Sequence, residues 1–212
     1  MGIRRSSSIR TFVISALSLI TATAAADDTM TKSTIVPQGR TEHFGHAEMM
    51  VAAPVPFVRD TATDFAHYKD FSNGRIRTSR LVDKRAGSTD VYLQVPVLHG
   101  MVTLWQVLRF SDVKRSADGT ETFTGKLVSG NVRAAEMTVT IKPAGEGRST
   151  ATCDLMLVPE FAAPQSAVDA ELREAAASAL RAFASRAEQK YVMVTPVAGP
   201  LVSGTEVAIE TK

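Results

Sequence analysis

The chain has 212 residues, 44% of them hydrophobic and 22% charged, the balance of a soluble globular fold rather than a disordered or multi-spanning one. Its 24 Lys and Arg against 22 Asp and Glu overstate its basicity, because Arg4, Arg5 and Arg10 fall within residues 1–26, which hold no acid. The remainder is near neutral, which excludes the basic surface that nucleic-acid phosphates require.

In chain order, the first feature is a leader. Met1–Arg10 is positive, Thr11–Ala22 is apolar, and Ala24, Ala25 and Ala26 precede Asp27 and Asp28. That order predicts a secretory signal cleaved after Ala26, and hence a periplasmic or secreted protein. The apolar run is short of the roughly 20 residues that span a bilayer. The length left after cleavage suits one domain. Cys153 is the single cysteine, so neither an internal disulfide nor a thiolate metal cluster can form.

Residues 27–45 are polar and aperiodic and predict a flexible lead-in. Ala47–Ala53 then has strand character and is ended by Pro54 and Pro56. Phe57, Thr61, Phe65 and Tyr68 fall at helical spacing and predict a helix over Pro56–Tyr68, with Lys69–Gly74 as a second short helical turn. Strands follow at about residues 75–84, 89–98, 102–113, 121–129, 133–142 and 149–158, which makes seven with the first. Their alternation leaves one apolar face, and their short turns predict an antiparallel meander. From Pro164 to Tyr191 the period becomes helical, with Val168, Leu172, Ala175, Ala179, Phe183 and Ala187 on one Ala-rich stripe. Residues 191–212 predict a weakly ordered tail.

This order of elements, with Val51-Ala52-Ala53-Pro54-Val55-Pro56-Phe57-Val58 at the first strand and helix, resembles the START-like superfamily. The same superfamily is called SRPBCC, Bet v 1-like or polyketide cyclase/dehydrase, and includes coenzyme Q-binding proteins. Thr63–Phe71 resembles its helix pair, and Leu157-Val158-Pro159 before a long helix resembles its last strand and lid. The likeness covers residues 46–190. It implies an α+β helix-grip fold in which a seven-stranded sheet wraps around the C-terminal helix and encloses an apolar cavity.

Within that fold, the inward strand faces supply the cavity lining: Val91, Leu93 and Val95 from one strand, Leu104, Gln106, Leu108 and Phe110 from the next. Met137, Val139, Cys153 and Leu155 come from the last two strands, and Leu172, Ala179 and Phe183 from the helix. Gln106 is the one polar member, and a buried amide needs a partner, so it either orients a ligand head group or lies at an outward edge. Asp154 alternates away from Cys153 and is expected on the solvated face.

His43, His46, His67 and His99 have no metal-binding spacing, no catalytic constellation is apparent, and no cofactor is implied. The basic set Arg75, Arg77, Arg80, Lys84 and Arg85 reads as a solvated strand face, or as a peripheral contact with anionic lipid heads. Three functions stay open. They are an exported, non-catalytic binding or transport protein for a lipid or isoprenoid quinone, a polyketide cyclase, aromatase or dehydratase, and an interaction module with a solid core.

Overall fold

The structure is a computed structural model that describes residues 30–97 and 100–194. The expected leader with its expected cleavage point after Ala26, the expected turn at Leu98 and His99, and residues 195–212 of the expected tail lie outside the described residues.

The first half runs through β1 (Thr31–Ile35), β2 (Phe44–Val51), α1 (Val55–Ala62), a 3-10 turn (Phe65–His67) and α2 (Tyr68–Phe71). Strands β3 (Thr78–Arg85), β4 (Ser88–Val97), β5 (Val102–Ser111), β6 (Lys114–Arg115), β7 (Glu121–Gly130), β8 (Val132–Pro143) and β9 (Ser149–Pro159) follow, and α3 (Gln165–Val194) is the last element. The strands form one antiparallel sheet in the order β1-β2-β9-β8-β7-β5-β4-β3, with β6 paired to β7. The α+β architecture, the antiparallel sheet, the two short helical pieces and the long C-terminal helix match the expectation from sequence.

The strand count does not match: among the described residues the sheet has nine strands, not seven. Strand β1 lies within the stretch expected to be a flexible lead-in and pairs with β2 from Thr31↔Glu48 to Ile35↔Phe44. Its sequence, TKSTI, has no apolar alternation to read. Side chains of α3 hold it instead: Lys32 pairs with Glu174, and Arg173 Nη1 donates to Thr34 Oγ1 at 2.7 Å. Strand β6 is two residues long, too short to leave a period.

The helix expected over Pro56–Tyr68 is also divided, because α1 ends at Ala62. Thr63 Oγ1 donates to the Arg59 carbonyl at 2.9 Å, and Asp64 leaves the helical region with φ −79° and ψ 57°. A side chain that competes for helix carbonyls favours such an ending.

Two packed zones make up the interior. At one end α1 and the 3-10 turn cover the sheet, and Phe65 stacks on Phe110 with centroids 4.3 Å apart and planes at 21°. Phe123 packs against both rings at 6.1 Å. At the other, α3 rests on β1, β2, β9 and α1. Gly45 of β2 permits this approach, since a side-chain carbon there would run into the backbone of Leu172 and Arg173.

Candidate functional site

Contact on one side leaves a gap on the other. Between α3 and the strands β4, β5, β8 and β9 lies a cavity of about 240 Å³. That is smaller than the ~300–1,000 Å³ typical of drug-sized sites, yet larger than the ~150 Å³ hollow that holds a benzene molecule. Its deep wall consists of buried Leu93, Leu104, Leu108, Met137, Cys153 and Leu172. Its mouth is bounded by exposed Arg75, Phe161, Ala163, Ala167 and Glu171.

Most residues expected at the cavity are there: Leu93 and Val95 of β4, Leu104, Gln106 and Leu108 of β5, Met137 of β8, and Cys153 and Leu155 of β9. Leu172, Ala179 and Phe183 of α3 complete that set. Val91, Phe110 and Val139 share the same strand faces but do not line the cavity. All three are fully buried, at the end of the sheet that α1 and the aromatic rings fill. Alternation tells which face of a strand is inward, but not where along its length the covering helix stops.

The sequence reading missed the floor and rim. Tyr68, Phe71 and Ile76 come from α2 and the segment after it, and Phe161 and Ala163 from the loop before α3. Tyr68 and Phe71 carried a signal, being aromatic residues three apart in a helical stretch, but the divided helix obscured which way they face. The loop residues carried none.

Helix α3 has two apolar stripes rather than one. Val168, Leu172, Ala175, Ala179 and Phe183 face the cavity, whereas Ala176, Leu180, Ala184 and Ala187 are buried against its supports. The stripes are about 100° apart, one residue's rotation on a helix.

The deep wall carries little charge. Burial raises the Tyr68 phenol well above its ordinary range, and its hydroxyl is already donated to the Ala62 carbonyl. Burial, and then the nearby Asp154, push the Cys153 thiol up to about 12. Both groups are therefore neutral at physiological pH. Glu136 reaches the lining from β8 with Arg40 Nη1 at 3.3 Å from its carboxylate.

Gln106 is an exception in another way. It is 7% exposed, and its Oε1 has no hydrogen-bond partner among the described residues. The two readings left open by sequence are thus resolved in favour of an inward side chain.

The three described histidines each contact a carboxylate: His43 Nδ1 lies 2.9 Å from Asp169, His46 Nδ1 2.6 Å from Asp154, and His67 beside Asp64. His43 and His46 are half-buried rather than exposed in a lead-in. Asp154 does lie off the core face, as expected, but is occupied by His46. Burial pushes the Asp169 carboxyl up, and hydrogen bonds from Gln165 and His43 outweigh it, leaving the group below its usual range. This contact ties the segment before β2 to the first turns of α3. Beside it, a groove of about 380 Å³ presents Thr41, Glu42, His43 and Arg133 and shares Leu157, Phe161 and Val168 with the cavity.

Arg75, Arg77, Arg80, Lys84 and Arg85 are all exposed. Arg80 lies over the Tyr92 ring at 4.7 Å, and Tyr92 stacks with Trp105 at 6.2 Å on the outer face. No helix among the described residues is long and apolar enough to cross a membrane.

No protein-family model and no curated protein matches the sequence. Solved structures do. A STAR-related lipid transfer protein fragment from Xanthomonas axonopodis superposes with a TM-score of 0.64 at 15% identity, covering 76% of this chain and 94% of that one. Human StAR-related lipid transfer protein 5 gives a TM-score of 0.64 at 11% identity, covering 76% and 83%. The Zhui aromatase/cyclase from Streptomyces sp. R1128 gives 0.52 at 18% identity, covering 70% and 96%. At these identities the likeness is one of architecture, and with the antiparallel sheet, the long C-terminal helix and the space between them it assigns the chain the START-like, or SRPBCC, fold.

Proposed function

We propose that this is an exported, non-catalytic binding or transport protein whose cavity takes an apolar small molecule of the lipid or isoprenoid quinone class. The observation that carries the reading is the open, apolar space of about 240 Å³ between sheet and α3. A solid-core interaction module would have closed it, because an empty apolar void forfeits packing contacts. Two structural neighbours with "lipid transfer" in their names support the same ligand class. The third is an aromatase/cyclase, but proton transfer needs a group that can change protonation state. Here Tyr68 and Cys153 are held neutral by burial, Gln106 is an amide that does not titrate, and of the two lining carboxylates Glu136 is paired with Arg40 and Glu171 stands exposed at the mouth.

The volume limits the guest. A single ten-carbon chain contributes about 8 kcal/mol at ~0.8 kcal/mol per buried methylene, against an association cost of at least ~4 kcal/mol. The net of about 4 kcal/mol or less makes the expected affinity for such a chain millimolar or weaker.

The test is uptake of N-phenyl-1-naphthylamine, followed by its fluorescence, in the native protein and in Ala179→Phe. A phenyl ring at position 179 fills the space, so saturable uptake is expected to disappear while the unfolding temperature holds or rises. Equal uptake by both proteins, or none by the native one, defeats the reading.

A further inference from the structure

We infer that Gln106 makes the cavity selective for apolar molecules that carry a hydroxyl group, over pure hydrocarbons and over molecules with acceptors alone. The inference rests on the binding reading above and adds the chemistry of the guest.

The amide is built into its position. Asn131, the single residue between β7 and β8, clips that turn onto β5: its Oδ1 accepts from the Trp105 amide at 2.8 Å, and its Nδ2 donates to the Thr103 carbonyl at 3.1 Å. The Asn131 amide in turn donates to the Trp105 carbonyl at 3.1 Å. With the backbone just before Gln106 held in this way, Trp105 points out and Gln106 points in.

Its neighbours across the sheet then leave it without a partner. Gln106 is opposite Leu93 on β4 and opposite Gly130 on β7. Leu93 offers no polar atom. Gly130 has no side chain and no room for one, since an added carbon would lie 2.6 Å from the Trp105 carbonyl oxygen and 3.1 Å from Gln106 Cα. Along β5 the flanking inward residues are Leu104 and Leu108. Three buried side chains among the described residues have an oxygen with no partner, Thr61, Gln106 and Glu121, and of these Gln106 alone lines the cavity.

An unpaired buried amide oxygen is costly, and a fold keeps one most readily where a guest supplies the missing bond. The group that satisfies an amide is one that both donates and accepts, because rotation about the last torsion exchanges the oxygen and nitrogen ends. A hydroxyl does both. A quinone or an ester accepts only, so it can take a bond from the amide nitrogen and still leave the oxygen bare. Within the proposed ligand class the amide therefore favours an alcohol, a phenol or a reduced quinol over an oxidised quinone.

The experiment compares 1-octanol with methyl octyl ether, which blocks the donor, as displacers of N-phenyl-1-naphthylamine from native protein, Gln106→Leu and Gln106→Met. The ether is intrinsically the more apolar, so the readout is the alcohol-to-ether affinity ratio in native protein divided by that ratio in each variant. A quotient of about ten is expected, equivalent to ~1.4 kcal/mol, together with a higher unfolding temperature in both variants as the orphan oxygen is removed. A quotient near one with both guests still bound overturns the selectivity and leaves the binding reading intact. Failure of both guests to bind native protein overturns both readings. A fall in unfolding temperature in both variants assigns Gln106 a structural role and overturns the inference as well.

Discussion

Asp90 shows how a single side chain ties the sheet's stability to pH. It is 6% exposed, and its two carboxylate oxygens accept from Arg109 Nε and Nη2, each at 2.8 Å. The Arg109 hydrogen bonds hold the carboxyl below its ordinary range, against the opposing effect of burial. A depressed folded-state pKa means that the stabilisation is fully present above the unfolded value of ~3.9 and is lost as pH falls through the folded value. Asp90→Asn is therefore expected to be less stable than native protein at pH 7 and to converge with it in acid, as measured by urea unfolding across pH. A constant difference across that range assigns the effect to shape instead of charge. Cross-strand pairing of Asp90 with Arg109 was not readable in advance, because register had not been established. Gln106 was readable as a polar residue on an apolar face. Its lack of a partner was not, since that depends on Gly130 arriving opposite through the bulge between Val107 and Leu108.

Helix α3 and strand β2 set the width of the site between them. The backbone of α3 at Leu172 and Arg173 lies directly over Gly45, so Gly45→Ala forces helix and sheet apart along their main contact. Backbone cannot rotate away as a side chain can, so the cost is expected near the upper end of overpacking, about 3 kcal/mol. Denaturant unfolding measures it, and a change under ~0.5 kcal/mol would show that the helix is free to slide. The individual strands were legible from alternation, and α3 from its helical period. What escaped was β1, whose TKSTI sequence has no pattern and is ordered by contacts from Arg173 and Glu174 of α3. The second stripe of α3 escaped for a related reason. With Ala on both stripes, Ala175 facing space and Ala176 facing protein are indistinguishable by composition.

Across the whole molecule, the interior grades from filled to hollow. Phe65, Phe110 and Phe123 close one end, while Tyr68, Phe71 and Phe183 stand between that cluster and the cavity. Local opening is easiest where buried contacts are fewest. Amide hydrogen exchange is thus expected to be slowest in β8 and β9 and faster in the first turns of α3, and a bound guest should slow the latter selectively. Uniform protection before and after loading would contradict this gradient. Topology was legible because short turns permit few ways to order a meander. The extent of the hollow was not, because it depends on where α1 ends and where α3 leans.

The outward stacking of Trp105 on Tyr92 has a practical corollary. This is the protein's single tryptophan, and it lies on the opposite side of β5 from Gln106. Its emission will report melting of the sheet while staying nearly blind to whatever occupies the interior, so a flat intrinsic-fluorescence titration says nothing against ligand uptake.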